Sequence, residues 1–497
     1  MKNIAAKKYF PYIILSLLCL PLFFINIRNS LGWDGDQEQY IHQALNIVKG
    51  IPQSETGFIY EKPGYGPPAC LMGFPLMLAP VYYFWGYNIP VFCLFITAAL
   101  FLLCIALFAF FRRYFSVTVS MLLVLLVAYN PETITMKMQV MSDIPFALLL
   151  VLFMLVYSNT QTPKHSNTIL SGVLLGMLIS VRGIGIVVAA AVIFNELLET
   201  IRRYKENKLL IINYQLLITL FAASLVYALL NVILFHLPTG GGFSYYRQVF
   251  GIENLIHIVP RNITYCFLMF RNYFAVCTAK LPFIASIIQS VMLTFSLVGF
   301  IIKCIKKTDF IDLVVIFYML ILFIYPFMLF NERFIFPVFP FFLYYFVIGL
   351  RSVKFNIAID KNVAALLFGL FVLLPCFSNL LNVVKTQNET LDGPQEPASL
   401  AAFEYIKQHT PADAVFASEG PRILALYAGR KGIRITNDEL TRNAAQLVTR
   451  LKATRVNYML IYNKIPNAPP DNYLAIKPLN LQLVWNNAKF RLYELRW

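Results

Sequence analysis

Apolar runs of membrane-crossing length recur along this chain from its beginning to about residue 382. A helical crossing takes roughly 20 consecutive apolar residues, because hydrocarbon offers no water to satisfy a bare backbone. By that criterion about eleven stretches qualify: 9–27, 88–111, 116–130, 143–158, 168–181, 183–198, 209–236, 283–302, 311–330, 334–350 and 362–381. The stretch 67–87 is also apolar, but Pro67, Pro68, Pro75 and Pro80 interrupt it. It reads as a re-entrant or interfacial segment, with a twelfth span as the competing reading. Composition points the same way: 59% of the 497 residues are hydrophobic and 13% charged, about half the charge of an ordinary soluble domain. The expected fold is an α-helical polytopic membrane protein of about 11 transmembrane helices.

The formal charge is +16 at pH 7. In a soluble chain that would raise nucleic acid as a partner. Here the basic residues flank apolar spans, so they read as topology signals and headgroup contacts, with membrane lipids and no nucleic acid as partners. With the N-terminus cytoplasmic, the short inner turns carry Arg112/Arg113, Lys164, Arg202/Arg203/Lys205/Lys208, Lys303/Lys306/Lys307 and Arg351/Lys354/Lys361. The outer side then receives two long loops, 28–87 and 237–282, and the C-terminal tail. Lys7 and Lys8 precede Phe10–Ile27 with no small-residue cleavage site after it, so the first span reads as retained. Of the eight cysteines, all but Cys70 fall in or beside apolar stretches, and no CxxC pair occurs. They read as buried free thiols.

Residues 1–382 therefore form the expected membrane domain, and 383–497 a linker followed by a small α/β domain. In the tail, 386–398 is polar and proline-containing. Leu400, Phe403 and Ile406 then have helical spacing. Ala414–Ala417 and Asn457–Tyr462 read as strands, and Leu481–Leu495 supplies two more.

Four outer features carry charges that topology does not require. In Gly32–Gly50, Asp36, Tyr40 and Ala44 share one helical face beside Ile41, Leu45 and Val48, which describes an amphipathic helix on the outer leaflet. The plain alternative is that Asp34 or Asp36 merely caps that helix. Glu61 and Lys62 precede a stiff Pro/Gly turn, where solvated loop charges are the ordinary case. Asp143 follows Ser142 at the mouth of a span, as a helix-dipole charge or a functional group. Finally, Arg247, His257, Arg261 and Arg271 in the second loop, Asn331–Glu332–Arg333 between two spans, and Arg182 in a short turn are outer-side charges. Arginine grips phosphate bidentately, so anion binding accounts for them; loose headgroup contact is the alternative.

Asp36-x-x-x-Tyr40-x-x-x-Ala44 with Gly50, then Glu61-Lys62-Pro63, then Met141-Ser142-Asp143, resembles the GT-C glycosyltransferases. Within that fold the pattern is most similar to aminoarabinose transferases and protein mannosyltransferase-like enzymes. Arg333-Phe334 followed by Pro337 and Pro340 resembles a late span of that family. Tyr405-Ile406, Thr410-Pro411, Ala414-Val415, Gly429-Arg430 and Asn457-Tyr458 resemble its extracytoplasmic domain. Gln37 and Gln39 stand where the family often has a charged residue.

The resemblance implies a sugar moved from a polyprenyl-phosphate carrier to an extracytoplasmic lipid, glycan or protein, in cell-envelope glycan or lipopolysaccharide modification. It implies Asp36 as general base, Asp143 as the second acidic position, Glu61 as a ligand of a divalent metal ion, and Lys62 as a carrier-phosphate contact. His257 and Arg261 resemble a metal-binding His followed by a phosphate-binding Arg. Arg333 and Tyr40 complete the expected substrate contacts. A bacterial inner membrane, with the tail periplasmic or extracellular, is the implied location. The other classes are a transporter or lipid flippase, which usually shows repeated halves and midplane charges, and a membrane polymerase or ligase joining preassembled glycans.

Overall fold

The computed structural model describes residues 2–25, 27–33, 35–59, 69–158, 165–205, 214–236, 252–275, 282–325, 331–352, 369, 393–436, 439, 444–462 and 481–497. The chain divides into two compact units that interleave in sequence: Met1–Ile27, Phe92–Leu234 and Val249–Asn388 form the first, and Arg28–Val91, Phe235–Gln248 and Glu389–Trp497 the second.

The first unit is helical: α1 (Lys2–Cys19), α4 (Ile89–Phe111), α5 (Val117–Ala128), α6 (Pro131–Lys137), α7 (Asp143–Tyr157), α8 (His165–Val181), α9 (Ile186–Lys205), α10 (Tyr214–Ala228), α11 (Ile252–Ala275), α12 (Pro282–Lys307), α13 (Phe310–Ile324) and α14 (Phe339–Ser352). Every predicted span that falls on described residues contains such a helix; the predicted span 362–381 lies outside the described residues, apart from residue 369. Among the described residues, four helices are long and apolar enough to cross a membrane: Ile89–Phe111, Gly183–Lys205, Tyr214–Leu234 and Ser286–Lys307. The bent pair α5–α6 makes a fifth if it is counted as one span. Five further helices among the described residues are apolar but shorter: Tyr9–Phe23, Asp143–Tyr157, Asn167–Val181, Phe310–Ile324 and Phe339–Ser352. The chain is a membrane protein.

The bend between α5 and α6 is 57°. Asn130 leaves the helical region and caps α6 by accepting from the Glu132 N–H at 3.0 Å, and Pro131 has no N–H to continue the ladder. A capping box starts α13: Asp309 accepts from the N–H groups of Ile311 and Asp312. Asp312 is fully buried, and it is satisfied by Lys303 Nζ at 2.7 Å and the Tyr345 hydroxyl at 2.6 Å. Helices α12 and α14 touch backbone to backbone. A Cβ on Gly349 would lie 1.9 Å from the Phe295 carbonyl oxygen, and one on Gly299 would lie 2.0 Å from that of Tyr345. Only glycine permits that approach.

Much of the predicted second loop is helix. Polar residues such as His257, Arg261, Asn262, Arg271 and Asn272 dilute α11, so its sequence fails an apolar-run test while its apolar residues still recur at helical spacing.

The second unit holds α2 (Asp36–Lys49), α3 (Gly73–Trp85), α15 (Pro397–His409), α16 (Pro421–Ala428), α17 (Ala444–Ala453) and a five-stranded sheet in the order β2 (Lys431–Arg434), β1 (Val415–Ser418), β3 (Tyr458–Tyr462), β5 (Phe490–Leu495), β4 (Leu481–Asn486). β1 runs parallel to β2 and β3; β5 is antiparallel to β3 and β4. Alternation along the strands separates two cores. Phe416 and Leu460 face α15 and α16 with Phe403, Ile423 and Leu424. Ala417, Met459 and Ile461 face α17 with Leu447 and Leu451.

The N-terminal segment is built into this unit. Gly432 donates to the Gly57 carbonyl at 2.8 Å and accepts from the Ile59 N–H at 2.9 Å, beside the edge strand β2. Leu31 N–H donates to Gln395 Oε1 at 2.8 Å. Helix α2 is more deeply buried than an interfacial helix would be. Gln37, Glu38, Gln39, Gln43 and Asn46 are all buried, because α3 and α16 cover it. The Gln43 amide clasps both backbone groups of Cys70 at 2.9 Å, and Asn46 donates to the Glu55 carbonyl at 3.1 Å. That correction follows from polar side chains finding backbone partners that a helical wheel does not reveal.

Candidate active site

Within the first unit, two of the predicted residues converge. Asp143 opens α7 but does not cap it. Its buried carboxylate pairs with the guanidinium of Arg182, the residue that links α8 to α9. Arg182 also lies over two rings, 6.0 Å from the Phe146 centroid and 5.7 Å from that of Phe334. Arg333 approaches the same Phe334 ring at 5.5 Å and donates to Met141 Sδ at 3.8 Å. The Glu332–Phe334 turn is fixed from two helices. Asn272 donates to Glu332 Oε1 at 2.6 Å, Tyr273 to the Glu332 carbonyl at 2.9 Å, and Tyr318 to the Phe334 carbonyl at 2.8 Å. Two guanidiniums and one carboxylate are thus gathered around Phe334 on a stiff frame.

Arg261 lies on α11, away from the predicted loop setting. It donates to the Asn262 side-chain oxygen at 3.2 and 3.1 Å. The Asn262 amide in turn donates to the carbonyls of Leu322, Phe323 and Tyr325 at the end of α13. His257, one turn earlier, is exposed. Among the described residues no group of three or more His, Cys, Asp or Glu side chains could hold a metal ion. Glu61, the other expected ligand, lies outside the described residues, as do Lys62, Asp34 and Arg247.

Within the second unit, Gly35 at φ +76° turns the chain so that Asp36 becomes the first residue of α2. The capping alternative fails for Asp36: the cap position belongs to Gly35, and the carboxylate instead accepts from Arg422 Nη1 at 2.7 Å. Arg422 comes from α16 and lies 4.9 Å from the Phe58 ring centroid. The Asp36 side chain remains 36% exposed. Tyr40, one turn on, packs edge-to-face on Phe74 at 4.8 Å.

Arg422 was not legible in the sequence, because it meets Asp36 across 386 residues. Arg182 carried a signal, a cation in a short turn expected on the outer side, but not its partner.

His42, on the same helix, has a pKa pushed down to about 4, chiefly by burial and secondarily by the charge of Lys49. Burial also raises the phenols of Tyr87 and Tyr427, which hydrogen-bond to each other and to Gln395.

The fold is of the GT-C type. The chain is similar to ArnT from Cupriavidus metallidurans bound to undecaprenyl phosphate, with TM-score 0.58, 13% identity and 97% of each chain covered. It is similar to the apo state of that protein, with TM-score 0.57, 13% identity, and 99% of this chain and 98% of that one covered. It is also similar to the Archaeoglobus fulgidus oligosaccharyltransferase tethered to an acceptor peptide containing the NVT sequon, with TM-score 0.58, 12% identity, and 92% and 69% covered. No family model matches the sequence, and no curated protein matches it.

Proposed function

We propose that this chain is an integral membrane glycosyltransferase that moves a sugar from a polyprenyl-phosphate carrier to an acceptor lipid, glycan or protein outside the cytoplasm. The observation that carries this reading is the gathering of Arg182 and Arg333 around Phe334, with Asp143 bound to Arg182. The likeness in fold to a structure that holds undecaprenyl phosphate supports it.

A carrier of this kind has its tail in lipid and its phosphate at the interface. The acceptor hydroxyl attacks the anomeric carbon, and the bond from that carbon to the phosphate oxygen breaks. The hydroxyl proton passes to Asp36, and the carrier leaves as polyprenyl phosphate. Arg333, with Lys62 and Arg261, holds the phosphate as negative charge builds on it. Asp143, the second acidic position, holds Arg182 beside Phe334. Arg422 orients Asp36, and Tyr40 lines the acceptor side of α2. No step is routed through a metal at Glu61 or His257. In this reading the N-terminus is cytoplasmic, residues 1–382 form the membrane domain together with its outer loops 28–87 and 237–282, and the tail from 383 is periplasmic or extracellular.

The test is purified protein in nanodiscs with a radiolabelled polyprenyl-phosphate sugar and a crude envelope acceptor. Label leaving the lipid, with equimolar polyprenyl phosphate appearing, is the expected result. Label that crosses the bilayer still attached to lipid would instead show the flippase alternative. A wild-type chain that fails to bind undecaprenyl phosphate refutes the proposal.

A further inference from the structure

Helix α3 is apolar on every side, yet only one side of it is packed. No charged residue occurs from Ala69 to Phe111, a stretch that takes in α3, the connection after it and α4. Phe74, Leu78, Ala79 and Val81 are buried, and Tyr40 of α2 packs on Phe74 at 4.8 Å. At about 100° per residue, Leu76, Met77, Pro80, Tyr83 and Phe84 fall within about 120° of one another around the helix. Tyr83 is 69% exposed and Phe84 70%; Pro80 is exposed, and Leu76 and Met77 are half-buried. Trp85, 57% exposed, closes the helix. An all-apolar helix with one bare face is out of place in water.

Chain connectivity brings this face to the bilayer. The membrane-length helix α4 starts at Ile89, four residues after Trp85 and within the same compact unit. Four residues reach at most about 14 Å, so the last turn of α3 stays beside the start of α4. The connection is also pinned. Tyr87 hydrogen-bonds to Tyr427 of α16 and packs edge-to-face on its ring at 5.6 Å. Depth is bounded as well. Thirteen residues make a helix of about 20 Å, short of the roughly 30 Å of hydrocarbon. Pro80 has no N–H for the carbonyl of Leu76, a loss that water among the headgroups offsets and hydrocarbon does not. Tyrosine and tryptophan favour headgroup level, where an apolar ring and a polar tip are both satisfied.

We infer that the exposed face of α3 is a membrane-binding surface, seated in the lipid headgroup layer where α4 enters the bilayer. The interfacial position that amphipathic spacing suggested for α2 falls to α3 instead. Helix α2 rides on it through Tyr40 and through Gln43, which donates to Met72 Sδ at 3.4 Å. A second copy of the chain is the weaker occupant, because lipid already meets these apolar side chains and leaves no hydrophobic gain for a protein that displaces it.

The experiment uses the full chain in nanodiscs whose lipid carries bromine either near the headgroups or at the chain ends, with tryptophan emission as the readout. Subtracting the Trp85→Phe variant from wild type leaves the Trp85 signal. Phe84→Trp, made in the Trp85→Phe background, gives a second reporter on the face itself, and both changes swap one exposed aromatic for another. We expect both signals to fall by about half or more with bromine near the headgroups and far less with bromine at the chain ends, as for rings held at headgroup level. Iodide in the buffer should leave them nearly unchanged. Quenching by iodide but not by bromine would put the face in water and overturn the inference. Stronger quenching from the chain ends would make α3 part of a span, and quenching by neither agent would mean that protein covers the face, a second copy where the discs hold two; each result overturns it as well.

Discussion

Replacing either member of the Asp143–Arg182 pair separates packing from charge in the first unit. The Asp143 side chain is 3% exposed and that of Arg182 15%. Two unit charges about 4 Å apart at an effective dielectric of about 20 attract by about 4 kcal/mol. Truncating one partner of a buried pair costs about 3–5 kcal/mol, because the survivor is left charged and desolvated. The burden is unequal. With Arg182→Gln, the more deeply buried carboxylate is stranded, so the loss falls at about 4–5 kcal/mol. With Asp143→Asn, Arg182 keeps the Phe146 and Phe334 rings and its wetter setting, so about 2–3 kcal/mol is expected. The double variant should lose less than the sum, with a coupling of about 2–3 kcal/mol. Reversible unfolding in mixed SDS–dodecylmaltoside micelles measures all three. Single losses within about 1 kcal/mol of zero, the range of a solvated pair, or additive losses in the double variant, would refute the assignment of a buried, mutually dependent pair.

The remaining predictions span both units. Asp36→Asn should slow transfer by about 10²–10⁴-fold, the usual contribution of a positioned base, while undecaprenyl phosphate still binds; wild-type turnover would remove Asp36 from the base role. Lys62→Ala, Arg333→Ala and Arg261→Ala should each cost carrier affinity about 2–5 kcal/mol, measured in one lipid composition; losses under about 1 kcal/mol in all three would move the phosphate site to Arg182, Arg247 and Arg271. Gly349→Ala should force α12 and α14 apart and lower stability by about 3 kcal/mol or more, since its methyl meets backbone rather than a movable side chain; an unchanged unfolding midpoint would show that the helices can part freely. His42 stays neutral in the native state down to about pH 4, whereas the unfolded residue gains a proton near 6.5. Its contribution is therefore fully present above about pH 6.5 and is lost as pH falls toward 4, by roughly 3 kcal/mol over that window. His42→Gln should flatten that part of the stability-against-pH curve.

The helices of the first unit were legible because a bilayer imposes a length and a composition that a single stretch must satisfy by itself. Ile89–Phe111 and Tyr214–Leu234 meet both. Helix α11 escaped because its polar residues dilute the apolar run while leaving its helical spacing intact. In the tail, β1 and β3 were legible as β-branched and aromatic runs, and both strands lie within a residue of the expected start. β2, with the sequence Lys-Gly-Ile-Arg, offered no such run; the β1 ladder and the Gly57–Ile59 segment hold it in place. Among the candidate site residues, Asp36, Asp143 and Arg333 were marked by local context, a helix start or a short turn between apolar spans.

Local sequence alone thus determined which segments are apolar helices, where alternation makes strands, and which charges stand out against their surroundings, because each of those signals is carried within one turn or one strand of the chain. The tertiary structure decided the partners. It gave Asp36 to Arg422 rather than to its own helix end, Asp143 to Arg182, and residues 28–91 to the same compact unit as the tail. Each of those pairings joins groups far apart in sequence. Their free energy depends on burial and distance in the folded chain, quantities that no local pattern of residues contains.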